Sequence, residues 1–193
     1  MFKKIFISLL LSLGIAWVFA ANQVAVFAMG CFWCAQSDFD KVPGVISTSV
    51  GFDGGKLPVN PSYKEVSAGT TNYAEAIKVV YDPAKVSYPT LLNYFWQHID
   101  PTVANAQFCD HGRQYRSAIF YINADQKQQA LASLAKIKQK FSQVYTQIVP
   151  STNFYPAAEY HQNYYRKNPT RYSFYRWNCG RDQRIFEVWH AKN

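Results

Sequence analysis

Four short apolar runs suited to strands, interrupted by two stretches with helical spacing, constrain this chain more than any other feature of its sequence. The first run, "VAVFAMG", ends at Gly30, after which Phe32, Ala35, Phe39 and Val42 recur at helical intervals up to Pro43-Gly44. "VISTSVGF" then alternates, with Ile46, Thr48, Val50 and Phe52 on one face, and closes at Asp53-Gly54-Gly55. "AEAIKVVY" is the third strand, and Ser87 caps a helix whose apolar face is Leu92, Phe95, Trp96 and Ile99. "RSAIFYI" is the fourth, followed by a capped helix with Leu131, Leu134 and Phe141 turned inward. The order β-α-β-β-α-β predicts an α+β fold, a ferredoxin-like split βαβ sheet with helices packed on it. The aromatic, poorly periodic tail beyond Pro150 is expected to be irregular and to wrap over the sheet or the site.

The first twenty residues stand apart. Lys3 and Lys4 precede an apolar run from Ile5 to Phe19, and Val18-Phe19-Ala20 is a small-residue cleavage site before Ala21. That pattern predicts a signal peptide over 1–20 and a single catalytic domain over 21–193. The run is shorter than the about 20 apolar residues of a membrane span, so no stable membrane insertion is expected after cleavage. Lipidation at Cys31 is rejected, because the apolar run ends too far upstream. The protein is therefore expected to be exported, periplasmic or secreted. Its net charge of +8 falls to +6 on loss of Lys3 and Lys4. The remaining charges are scattered rather than clustered, which argues against nucleic acid as a partner.

Export makes disulfide chemistry available to Cys31, Cys34, Cys109 and Cys179, although a chain of 193 residues has no need of staples to fold. "GCFWC" can be a redox pair, a metal clip or a disulfide. No second Cys-x-x-Cys or spaced histidine pair answers it, so no metal site is expected, and His98 and His161 read as ordinary core or surface histidines. Gly30 allows a sharp turn that places Cys31 in the first turn of a helix. There the orphan N–H groups are expected to lower its pKa into the nucleophilic range. Cys34 follows one turn later on roughly the same face. With period two, Glu75 shares the face of Ile77, Val79 and Tyr81. A carboxyl there loses hydration and can stay protonated near neutral pH, while a strand-end carboxylate reaching solvent is the plainer alternative. The stretch "FCDHGRQYRSA" gathers Cys109, Asp110, His111, Tyr115 and Arg116 in a loop before a strand, where functional residues concentrate.

Taken together, "GCFWC", "NPSYKEV", "NYAEAIKVVYDP", "DPTVANAQFCDHGRQYRSAIFY" and "AAEYHQNYY" resemble the A-type peptide methionine sulfoxide reductases, from Val24 to about Gly180. The resemblance implies that Cys31 attacks the sulfoxide sulfur and that Glu75 hydrogen-bonds the sulfoxide oxygen, helped by Tyr63 and Tyr115. It places Asp110 on the substrate backbone and Phe32 and Trp33 around the substrate methyl group. It further implies the S epimer as substrate, in oxidised proteins or as the free amino acid, a sulfenic acid on Cys31, and a disulfide opened by an external dithiol. For an exported protein that donor is a thioredoxin-like exported dithiol reductant. No cofactor is implied.

The chain departs from the family's commonest pattern where many relatives have glycine at the position of Cys34 and carry recycling cysteines in a glycine-rich tail. Asn72-Tyr73 also replaces the usual small residue and histidine before "AE". Three resolving cysteines are therefore weighed: Cys179 first, then Cys34, then Cys109, which can instead pair with Cys179 as a relay or a bridge. Two rival readings are a thioredoxin-like dithiol–disulfide oxidoreductase using Cys31 and Cys34, and a metal-binding or adhesive surface protein.

Overall fold

The computed structural model describes residues 21–56 and 60–190, so the leader expected over 1–20 lies outside the described residues. The first strand, β1 (Gln23–Met29), is followed by α1 (Phe32–Phe39), β2 (Val45–Asp53), the short α2 (Tyr63–Ser67) and β3 (Ala74–Tyr81). Then come α3 (Tyr88–Gln97), a small hairpin of β4 (Ala106–Gln107) and β5 (Asp110–His111), and a 3₁₀ turn over Arg113–Tyr115. Next are β6 (Ser117–Tyr121), α4 (Ala124–Lys140), β7 (Gln147–Pro150) and β8 (Tyr155–Pro156). Three further helices follow: α5 (Tyr164–Lys167), α6 (Pro169–Asn178) and α7 (Arg181–His190).

Six strands form one mixed sheet in the order β7-β6-β1-β3-β2-β8. β1 lies antiparallel between β3 and β6, β2 pairs antiparallel with β3 and β8, and β7 adds parallel to β6. The α+β class read from the sequence is the class of this molecule. Because side chains alternate across a strand, Phe27, Ile77, Val79 and Ile119 face the helices, while Val26, Ala28, Ala76 and Phe120 fill the opposite face with Phe154. On the helix side, Phe27 stacks on Phe39 and on Phe95, each at 5.2 Å between ring centres. Ser87 caps α3 through the Thr90 N–H, and Leu92, Phe95, Trp96 and Ile99 are all buried, as the spacing predicts.

Four expectations need correction. The tail beyond Pro150 is not irregular: it contributes a strand and three helices. Their inward residues include Tyr172, packed on Cys31 and Cys34, half-buried Arg176 and buried Arg181, the two arginines paired with Asp38 far away in the chain, and Trp189 against the core. Pro169 starts α6, and Gly180 at φ 65° separates it from α7. In α4, Ala130 and Gln126 turn inward, Leu134 packs against the core, and Leu131 is 46% exposed. Phe141 terminates that helix and meets Trp189 edge-on instead. In β2 a register shift between Val45 and Ser47 turns Ile46 out to solvent.

Candidate active site

The apolar run of β1 delivers the chain to Gly30, whose φ of 81° makes the turn into α1. A Cβ there would lie 2.6 Å from Gln107 Cβ, so only glycine fits this corner. Cys31 is the N-cap of α1, and its carbonyl accepts from the N–H groups of Cys34 (3.1 Å) and Ala35 (3.2 Å). Its thiol is only 5% exposed. Glu75, 2% exposed on the helix side of β3, accepts from the Phe32 N–H at 2.9 Å.

Two further elements bring phenols to the same place. A capping box between Ser62 and Glu65 starts α2 and sets Tyr63 in its first turn. Tyr115 ends the 3₁₀ turn, which Gln114 ties to the Ser67 carbonyl at 3.0 Å and Arg116 ties to the Asn72 carbonyl at 3.1 Å, just before β3. All seven residues read as catalytic or substrate-binding, namely Cys31, Phe32, Trp33, Tyr63, Glu75, Asp110 and Tyr115, line one cavity of about 130 Å³. A roomier groove of about 510 Å³ beside α3 has no cysteine in its lining, which includes Gln23, Tyr88, Asp125 and Gln129.

Burial decides the electrostatics. It pushes the Glu75 carboxyl up to about 8, against the opposing effect of the Phe32 N–H, so the group is a protonated acid at neutral pH. It also raises both phenols, Tyr63 and Tyr115, which remain donors. Burial raises Asp110 too, opposed by the hydrogen bond from Tyr175. The expectation of a lowered pKa at Cys31 is overturned. Burial pushes this thiol up, reinforced by its hydrogen bond to Cys34 and by the nearby Cys34, Glu75 and Asp110. Burial outweighs the helix terminus here, and the Phe32 N–H at the start of α1 donates to Glu75. Cys34 is the lowered member of the pair, held down first by the hydrogen bond from Cys31 and then by the Arg181 and Arg176 guanidiniums.

Three residues that the sequence reading gives no role stand at or behind this pocket. His161 is buried, accepts from Trp33 Nε1 at 3.2 Å, and is lowered by burial to about 4, so it is a neutral anchor for the indole. Tyr164 stacks on Trp33 at 3.9 Å, and Tyr175 from α6 is the eighth lining residue of the cavity. His161 and Tyr164 lie in "AAEYHQNYY", a motif whose sequence carried this signal; Tyr175 carried none. Of the resolving candidates, Cys179 is bonded to Cys109, the bridge weighed as one alternative, whereas Cys34 is free and buried beside Cys31.

A buried thiol set against a protonated acid and two phenols in an aromatic cleft defines a cysteine-dependent oxidoreductase. Residues 23–193 match the family profile described as peptide methionine sulfoxide reductase, and the chain belongs to that family. It is 43% identical over 174 residues to the peptide methionine sulfoxide reductase MsrA of Bacillus subtilis, covering 89% of this chain and 98% of that protein. Identity is 45% over 175 residues with the Vibrio cholerae peptide methionine sulfoxide reductase MsrA/MsrB. That match takes in 89% of this chain but 46% of that longer relative, about half its length. Among solved structures, methionine sulfoxide reductase A of Corynebacterium diphtheriae is similar at 36% identity and a TM-score of 0.74, over 77% of this chain and 76% of that one. Mxr1 of Saccharomyces cerevisiae in its reduced form gives 32% identity and the same TM-score of 0.74, over 77% and 87%.

Proposed function

We propose that the protein reduces methionine S-sulfoxide in oxidised proteins, and the free amino acid as well, to methionine. The observation that carries this reading is the opening of the Cys31 thiol and the protonated Glu75 onto one small aromatic-walled cavity. A sulfoxide oxygen leaves poorly until it is protonated, so a thiol nucleophile needs an acid beside it. Cys31 gives up its proton to solvent, a step its raised pKa makes costly, and the thiolate attacks the sulfoxide sulfur. Glu75 delivers its proton to the oxygen while Tyr63 and Tyr115 hydrogen-bond it. Methionine leaves, and Cys31 becomes a sulfenic acid, so the sulfoxide has gained the two electrons the thiolate lost. Phe32 and Trp33 hold the substrate methyl group, and Asp110 accepts from its backbone.

Cys34 is the resolving thiol in this reading, because it stands free beside Cys31 while Cys179 is engaged with Cys109. Its sulfur attacks the sulfenic sulfur, its proton leaves with the hydroxyl as water, and an external dithiol reduces the new disulfide. That donor, in this reading, is a thioredoxin-like exported protein, in keeping with the leader expected over 1–20 ahead of a single catalytic domain over 21–193. The central order β6-β1-β3-β2, antiparallel throughout, supports the ferredoxin-like split βαβ reading of the core.

The test is to supply mature, reduced protein and excess dithiothreitol with the separated S and R epimers of methionine sulfoxide, and to quantify methionine. Turnover of the S epimer alone is expected. No methionine from either epimer would overturn the reading and leave Cys31 and Cys34 as a disulfide exchanger.

A further inference from the structure

Tyr175 belongs to the cavity by geometry, yet it stands on a helix far from the motifs that build the rest of the site. Its hydroxyl donates to Asp110 Oδ2 at 2.7 Å, and its ring meets Trp33 edge-on, 6.1 Å between centres. One turn later along α6 comes Cys179, bonded to Cys109, the residue preceding Asp110. The links close a ring: Asp110 to Cys109 through the backbone, Cys109 to Cys179 through sulfur, Cys179 to Tyr175 through one helical turn, and Tyr175 to Asp110 through a hydrogen bond. Only the last link is not covalent. Phe108, at φ 57°, turns the chain into this ring, and its own ring lies 4.5 Å from the Arg181 guanidinium. Arg181, itself 1% exposed, donates to the Met29 carbonyl at 3.1 Å and the His98 carbonyl at 2.9 Å, which fixes the start of α7 against the base of the site.

We propose that Tyr175 is a positioning residue for Asp110, and that the Cys109–Cys179 disulfide is a latch that holds Tyr175 in place rather than a station in the electron path. With Oδ2 held by the phenol, the carboxylate presents its other oxygen to the substrate backbone in a fixed direction. This rests on the proposed role of Asp110. Selectivity for a sulfoxide that carries a backbone amide then depends on a disulfide that takes no part in the chemistry.

The test compares two methyl sulfoxides: an N-acetylated, C-amidated methionine S-sulfoxide and an amide-free aryl methyl sulfoxide. The enzyme is first reduced mildly until two free thiols per chain remain, assigned to Cys31 and Cys34 by alkylation and peptide mass. Single-turnover rates are then followed against substrate concentration. In Tyr175→Phe the half-saturating concentration of the amide-bearing sulfoxide is expected to rise about three- to ten-fold relative to that of the aryl sulfoxide, the scale of one lost hydrogen bond. The Cys109→Ser, Cys179→Ser double variant, checked for folding by circular dichroism, is expected to show the same selective rise with its limiting rate retained. Adding Tyr175→Phe to it is expected to give little further rise, because both changes break one ring. Equal effects on the two sulfoxides, or none in Tyr175→Phe, would overturn the positioning role. Loss of recycling by a dithiol protein in the double variant would make the disulfide a relay and overturn the latch. Wild-type protein that reduces neither sulfoxide would instead sink the proposed activity.

Discussion

The two cysteine pairs of this molecule are built from the same element and differ in nearly everything else. Cys31 and Cys34 sit one turn apart at the start of α1, free and buried, with Cys31 raised and Cys34 lowered by the hydrogen bond between them. Cys109 and Cys179 come from a hairpin and a helix end, separated by 70 residues, and are joined at the margin of the site with Cys109 exposed. The difference teaches that sulfur reactivity is set by surroundings. The first pair has an acid, two phenols and an apolar wall around it, whereas the second has a tyrosine and a carboxylate to hold in place.

The sharpest way to break that contrast is substitution within each pair. Cys31→Ser is expected to abolish methionine formation from either epimer, even in a single turnover with stoichiometric enzyme. Cys34→Ser is expected to retain one methionine per chain and to accumulate a sulfenic acid that dimedone traps, while turnover driven by a dithiol protein is lost. If this variant recycled normally, the resolving role would have to move to another thiol.

Glu75→Gln is expected to lower kcat/KM by about 10²- to 10⁴-fold, the usual contribution of a positioned acid. Wild-type kcat/KM is expected to fall as pH rises through about 8, where Glu75 loses its proton, and that limb should vanish in the variant. The same group makes a stability prediction. Its folded pKa lies above its ordinary value, so the native state holds the proton more tightly than the unfolded chain does. Stability is fully expressed below the ordinary carboxylate range and declines as pH rises towards about 8. Urea unfolding at pH 5 and pH 9 should show a smaller decline for Glu75→Gln than for wild type.

The second pair should act on stability more than on chemistry. Opening Cys109–Cys179 in the double serine variant is expected to cost about 2–4 kcal/mol, a drop of roughly 5–15 °C in Tm by calorimetry. The smallest effect in the series is the selective shift in half-saturation described for Tyr175→Phe.

What was legible in the sequence follows the same division. The sheet and the helices over it bury aliphatic and phenyl side chains, whose period shows in one dimension, and so Phe27, Ile77 and Trp96 announced themselves. Glu75 was placed on the right face by counting in twos along β3. The C-terminal helices are illegible because Tyr172 is buried against Cys31 and Cys34, and Arg176 and Arg181 turn inward to distant partners such as Asp38 and the Met29 carbonyl. A periodic polar residue does not declare which way it faces. The pairing of Cys109 with Cys179 is legible only as one alternative, ranked below resolution by Cys179 or Cys34, since cysteine spacing alone does not fix connectivity. The direction of the Cys31 shift is illegible for a similar reason: position on the helix shows in the sequence, but the depth of burial that raises the thiol does not.

That amide has a consequence for the end of the reaction as well as its beginning. Once Glu75 has given up its proton it is an anion at the head of α1, with the Phe32 N–H already aimed at Oε2 from 2.9 Å. A bare carboxylate in so dry a cleft would take back any proton at hand, the one on the newly formed hydroxyl included. The Phe32 N–H steadies that spent charge only in part: burial still holds the carboxyl at about 8, so in the proposed cycle the acid is readily recharged at neutral pH.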